Sequence, residues 1–161
     1  MPTRFKLDAV DKRILEHLQR DARVSMPLLA EAIGLSAPAC YRRVRRLREA
    51  GKIVREVAVV APRTLGWALS MIVLISLERE GAQTADELMR TLEAEPAVIE
   101  AWQITGEHDF AANIVARDME DYDELTRRLF VQNEHVRMFT TLVIFRQTKK
   151  PTSIPVAPDP D

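Results

Sequence analysis

Five arginines, Arg42, Arg43, Arg45, Arg46 and Arg48, fall within seven residues, and no other run of this 161-residue chain concentrates one charge so densely. Such a row either forms a solvated face or neutralises phosphates and reads base edges, where a guanidinium can pair bidentately with guanine. Like charges at i,i+3 and i,i+4 repel along a helix unless an anionic partner relieves them, which favours the second use. The other reactive side chains offer less. His17, His108 and His135 do not cluster in sequence, and the single cysteine, Cys40, has no redox or metal-binding partner in the sequence pattern. No nucleophile, metal-ligand or phosphate-loop spacing is present, so the chain reads as a non-enzyme that calls for no cofactor.

The arginines belong to residues 36–51, SAPACYRRVRRLREAG. Ser36 is placed to cap a first helical turn, Pro38 is tolerated in that turn, and Gly51 can supply the left-handed residue that ends it. At 3.6 residues per turn Cys40, Val44 and Leu47 form one apolar stripe, with Pro38, Arg42, Arg45 and Glu49 opposite and Tyr41 and Arg46 flanking. The stripe docks and the arginines face out. The expected DNA-facing set is Ser36 at the helix start, Pro38, Tyr41, Arg42 and Arg45 at the groove, and Arg43, Arg46 and Arg48 nearer the phosphates. On this reading Arg42→Ala relaxes base preference, whereas Arg46→Ala mainly flattens the salt dependence.

Two helices precede this one. Residues 7–20 carry Leu7, Val10, Ile14, Leu15 and Leu18 at helical spacing, with Asp8 and Asp11 placed as a capping box. A short second helix runs from a Ser25 cap to Gly34, with a stripe of Leu28, Leu29, Ala32 and Ile33. Only Leu35 and Ser36 separate it from the basic helix, so the pair predicts a helix-turn-helix whose second member enters the major groove of double-stranded DNA. Residues 52–61, KIVREVAVVA, change to a β-branched pattern and predict a wing or linking strand that stops at Pro62.

Charge divides the chain at the same place. Residues 1–63 hold 14 Lys+Arg against 7 Asp+Glu, and residues 64–161 hold 9 against 17. A basic head on an acidic body suits a protein that meets nucleic acid only with its head. The body predicts a strand over residues 69–77, a helix over 84–95, strands over 98–105 and 110–116, a helix capped by Asp118 through Gln132, and a strand over 136–147. This β-α-β-β-α-β order is the ferredoxin-like plan, with both helices on one face of a four-stranded antiparallel sheet. The fold class is therefore α+β: a winged helix-turn-helix over residues 1–62, then a ferredoxin-like domain over 63–148. The uncovered sheet face predicts an interface. Four prolines after Lys149 predict a disordered tail over 149–161. Without a signal peptide, a spanning apolar run or a disulfide framework, a soluble cytoplasmic protein with no membrane partner is expected.

The run LDAVDKRILEHLQRDARVSMPLLAEAIGLSAPACYRRVRRLREAGKI resembles the winged helix-turn-helix of the Lrp/AsnC transcription regulators, and ITGEHDF, DMEDY and TTLVIF resemble that family's amino-acid-sensing domain. The resemblance spans roughly residues 5–148. It implies a homodimer joined through the sheets, often assembled to a tetramer or octamer, that binds operator DNA under control of a small-molecule effector, an amino acid by family habit. Leu35, Ser36, Arg43 and Leu47 match the family's turn and basic helix, while Gly106, Asp109 and Thr141 match its effector loop and last strand. Glu107 and His108 complete the loop, and the resemblance makes Gly106, Glu107, His108, Asp109 and Thr141 the effector set. By composition alone GEHD is an ordinary hairpin turn. His108 stands where an aromatic residue is frequent, Lys52 where an apolar one is usual and Phe139 where Thr is common; the first and third alter the implied pocket, so leucine or asparagine is not carried over as ligand. Two alternatives share the plan: an effector-independent architectural DNA binder, and a sirohaem-decarboxylase-like enzyme, for which the arginine face would have no purpose.

Overall fold

The computed structural model describes residues 5–78, 81–149 and 153–156. They form two compact units, one of the residues through Ala58 with the C-terminal residues from Lys149, the other Val59–Thr148. The boundary falls four residues before the expected one.

The first unit is three helices, α1 (Ala9–Arg20), α2 (Met26–Ile33) and α3 (Ala37–Glu49). Asp8 caps α1 in a full capping box: its Oδ1 accepts from Asp11 N at 2.7 Å, and Asp11 Oδ2 accepts from Asp8 N at 3.3 Å. Helix α3 ends in a Schellman turn, Lys52 N donating to Leu47 O and Gly51 N to Arg48 O. Gly51 is at φ +65°, where a side chain would strain the backbone. Ile14, Leu18, Leu29, Ala30, Ile33, Cys40, Val44 and Leu47 make one core. The expected stripe of α2 is thus rotated: Leu29, Ala30 and Ile33 point inward, and Leu28 is 60% exposed. An eight-residue helix has too few turns for periodicity to fix its inner face.

The expected wing strand is absent. Residues 52–61 pair with no strand among the described residues, and Val54, Val57, Val59 and Val60 are exposed. The β-branched pattern gives a backbone suited to a strand, but a strand also needs a partner, and none of the described residues pairs with it. A 3-10 turn, Pro62–Leu65, follows. The tail also departs from expectation. Residues 153–156 are ordered on the first unit: Ile154 N donates to Gln19 Oε1 (2.6 Å) and Gln19 Nε2 donates to Ile154 O (3.2 Å). A side-chain amide presents a donor and an acceptor in one plane, so it can seat an extended segment that prolines bar from a sheet. Residues 150–152 and 157–161 of the expected tail lie outside the described residues.

The second unit has the expected β-α-β-β-α-β order: β1 (Leu69–Leu77), α4 (Ala82–Ala94), β2 (Val98–Gln103), β3 (Phe110–Ala116), α5 (Met119–Thr126) and β4 (Val136–Val143). The sheet order is β2-β3-β1-β4, all pairs antiparallel. Met71, Val73, Ile75 and Leu77 of β1 meet Ala85, Leu88 and Leu92 of α4 and Tyr122 and Leu125 of α5 in one core, so both helices cover the same sheet face. Helix α5 widens into a π-turn, Arg127–Val131, which lets the adjacent Leu129 and Phe130 both be buried. Strand β4 stops at Val143, paired with Met71, short of the expected Gln147, although Ile144 N still donates to Ser70 O at 2.9 Å. Ile75 is fully buried under the helices, so the interface position is not Ile75. Residues of the opposite face are Ile72, Leu74, Trp102, Met138 and Leu142, and Trp102, Met138 and Leu142 are exposed. No helix among the described residues is long and apolar enough to cross a membrane.

Candidate DNA interface and effector site

Helix α3 buries Cys40, Val44 and Leu47, which turns the remaining faces outward. Burial pushes the Cys40 thiol up, consistent with an inert core side chain. Ser36 occupies the N-cap position, but its side chain makes no capping hydrogen bond and is exposed. Pro38, Tyr41 and Arg42 are exposed as well, and Arg42 has no ion-pair partner among the described residues.

The other four arginines divide by the carboxylate they meet. Arg45 pairs with Glu49 at 2.7 Å, both more than 60% exposed, and Arg48 pairs with Glu56 at 2.8 Å across a half-exposed contact. Solvent screens exposed pairs of this kind so strongly that a phosphate or base can displace them. Arg43 and Arg46 are held differently. Arg43 Nη1 donates to Asp8 (2.6 Å) and Asp11 (2.8 Å), and Arg46 Nη2 donates to Asp11 (2.7 Å). Asp11 is wholly buried, and the Phe5 ring lies 4.8 Å from the Arg46 guanidinium. These two arginines, placed by sequence nearer the phosphates, clamp α3 to the start of α1.

The Asp11 N–H and the Arg43 guanidinium hold the Asp8 carboxyl below its ordinary range, and Asp8 and Asp11 push the Arg43 pKa up. A depressed folded-state pKa contributes stability above the unfolded value and loses it as pH falls through the folded one. Acidification below about pH 4 therefore weakens the first unit. Asp8 is half exposed, so solvent limits its share to about 1 kcal/mol. In thermal unfolding at pH 7 and pH 3, Asp8→Asn should be less stable than wild type at the higher pH, with a smaller deficit at the lower; an equal deficit at both would remove the charge contribution.

The loop of residues 106–109 joins β2 to β3. Ile104 N donates to Asp109 O and Asp109 N to Ile75 O, both at 2.9 Å, and Asp109 Oδ2 accepts from Leu77 N at 2.7 Å. The carboxylate thus serves the end of β1, where the pairing with β4 shifts register between Ser76 and Leu77. The other carboxylate oxygen accepts no hydrogen bond among the described residues. Gly106 sits at φ +128°, and a Cβ there would meet open space, so glycine answers a backbone requirement and not a close contact within the chain. His108 Nδ1 lies 3.0 Å from the buried Ser76 Oγ. Glu107 is exposed. Thr141 is engaged elsewhere, its Oγ1 2.6 Å from the Tyr122 hydroxyl, whose pKa burial raises. The loop flanks β1 on the β3 side and Thr141 on the β4 side, so one chain does not gather the five effector candidates around a single cavity. An open concavity of about 500 Å³ lies along α5 instead, lined by Glu120, Asp123, Glu124, Arg127, Arg128 and Gln132, none of them in the set.

Residues 7–48 match the family model of the AsnC-type helix-turn-helix domain, and residues 70–154 match that of the Lrp/AsnC ligand binding domain. The chain belongs to the Lrp/AsnC family. An uncharacterised HTH-type transcriptional regulator of Sinorhizobium fredii is 36% identical over 152 residues, covering 94% of this chain and 90% of that protein. The leucine-responsive regulatory protein of Rhizobium meliloti is 34% identical over 149 residues, covering 92% and 96%. In three dimensions a transcriptional regulator of Neisseria meningitidis, solved as its L-Met complex, superposes with a TM-score of 0.87 at 24% identity over 93% of this chain and 97% of that one.

This Lrp/AsnC protein is thus a transcriptional regulator with a DNA-binding helix-turn-helix and a ligand-binding domain. Sequence reasoning missed the tie from Asp8 and Asp11 to Arg43 and Arg46, although the capping box was legible; the two ends lie 32 to 35 residues apart. It also missed Ser76 and Tyr122, whose partners become evident only once strand register is known.

Proposed function

We propose that this regulator binds duplex DNA sequence-selectively as a homodimer, with Pro38, Tyr41, Arg42 and Arg45 at base edges and Ser36 and Arg48 toward the backbone. The observation that carries this is the exposed Arg42, without an ion-pair partner among the described residues, beside the exposed Tyr41 on a helix whose opposite stripe is sealed in the core. Dimerisation through the open sheet face is supported by exposed Trp102, Met138 and Leu142 and by Asn113 Oδ1, which is buried on that face without a hydrogen-bond partner among the described residues. A second copy can supply both apolar cover and a donor.

The proposal extends to an amino-acid effector at residues 106–109 and Thr141, in a site completed by another chain, which adjusts assembly or DNA affinity. Support comes from the ligand-binding family match, the L-Met complex of the Neisseria protein, and the Asp109 oxygen that accepts no hydrogen bond among the described residues, as an acceptor for an α-ammonium. A calorimetric screen of the twenty amino acids tests it. At least one should bind at millimolar concentration or below, and His108→Ala or Thr141→Val should weaken it by about 1 kcal/mol or more, the worth of a hydrogen bond. Binding by none, or binding untouched by both variants, contradicts the effector site while leaving DNA recognition standing.

A further inference from the structure

We infer that Asp11 acts as a specificity-determining positioning residue, an internal substitute for a DNA phosphate that keeps Arg46 out of sequence-blind binding. The inference rests on the DNA-binding reading above. Arg46 sits on the helix that presents Arg42 and Arg45, and its guanidinium is half exposed, close enough to solvent to serve a phosphate. Its Nη2 is instead 2.7 Å from Asp11 Oδ2, and the Phe5 ring backs the guanidinium. The Asp11 side chain is completely buried, so drawing Arg46 onto a phosphate would leave a desolvated carboxylate with one guanidinium fewer. That opposition is missing for Arg45 and Arg48, whose carboxylate partners are exposed.

The two arginines on Asp11 are not equivalent. Arg43 keeps Asp8 at 2.6 Å if Asp11 loses its charge, whereas Arg46 has no second carboxylate among the described residues. Neutralising Asp11 therefore frees Arg46 first. A freed arginine on a DNA-facing helix adds a phosphate contact that carries no sequence information, so it raises affinity for every duplex and narrows the gap between operator and random sequence.

The test is the salt dependence of binding to a random-sequence duplex and to a site selected from a randomised pool, for the full-length wild type, Asp11→Asn, Arg46→Gln and the double variant, with folding checked by circular dichroism. Arg46→Gln should leave the wild-type slope unchanged. Asp11→Asn should steepen it by about one unit, a loss of affinity about three- to fourfold greater between about 50 and about 200 mM salt, and reduce selectivity. The double variant should return to the wild-type slope. If Arg46→Gln alone flattens the wild-type slope by a unit, Arg46 already serves a phosphate and the inference is wrong, an outcome that does not depend on Asp11→Asn folding. Equal steepening by Asp11→Asn with and without Arg46 would assign the effect to net charge and also overturn it. Equal wild-type binding to both duplexes would remove the sequence-selective reading, yet the slopes on random duplex would still decide the part played by Asp11.

Discussion

Leu74→Asp should leave the chain folded and monomeric, with its affinity for a two-half-site operator lowered by roughly a hundredfold or more. Leu74 faces away from the helices, between Ala111 of β3 and Thr140 of β4, at the middle of the sheet. On the proposed dimer a carboxylate there must be desolvated or the interface must open, and an unpaired buried charge costs several kcal/mol. One head then binds alone and loses the second half-site. Ile75→Asp, one residue along, is the control: Ile75 is wholly buried beneath α4 and α5, so a charge there should unfold the second unit. Sedimentation and thermal melting separate the two cases. A dimeric Leu74→Asp protein would show that the open face is not the interface.

Arg42→Ala should cost about 1–3 kcal/mol on the selected site and far less on random duplex. Arg42 is the arginine of α3 without an intramolecular carboxylate among the described residues, so its removal breaks no ion pair and leaves the helix in place. The loss should appear as relaxed preference at one base pair per half-site, read by competition with single-base variants of the site. A uniform loss across all variants would move Arg42 from the groove to the backbone.

Local signals carried much of this fold. The Asp8 and Asp118 caps, the Gly34 and Gly51 helix ends and the alternation through residues 69–77 each depend on neighbours within a few residues, and each stands in the structure as expected. What stayed hidden depends on partners remote in sequence. Residues 52–61 have the side chains of a strand but pair with no strand among the described residues, Leu28 turned outward because a two-turn helix fixes no face, and Gln19 seats the tail from 135 residues away. The outward-facing positions of α3 were legible because one stripe of that helix is unmistakably apolar. Their division was not, since it depends on Asp11 being buried beside Arg43 and Arg46. The proposed effector residues rest on family resemblance alone, and they lie on two sides of β1.

Equilibrium binding of the wild-type chain to a site selected from a randomised duplex pool, in competition with random duplex at physiological salt, tests DNA recognition through α3 most directly. The selected site should be a two-fold-related pair of half-sites about one helical turn apart, or a multiple of it, bound at least about a thousandfold more tightly than random duplex. Failure of the pool to converge, with equal affinity for selected and random duplex, would contradict it.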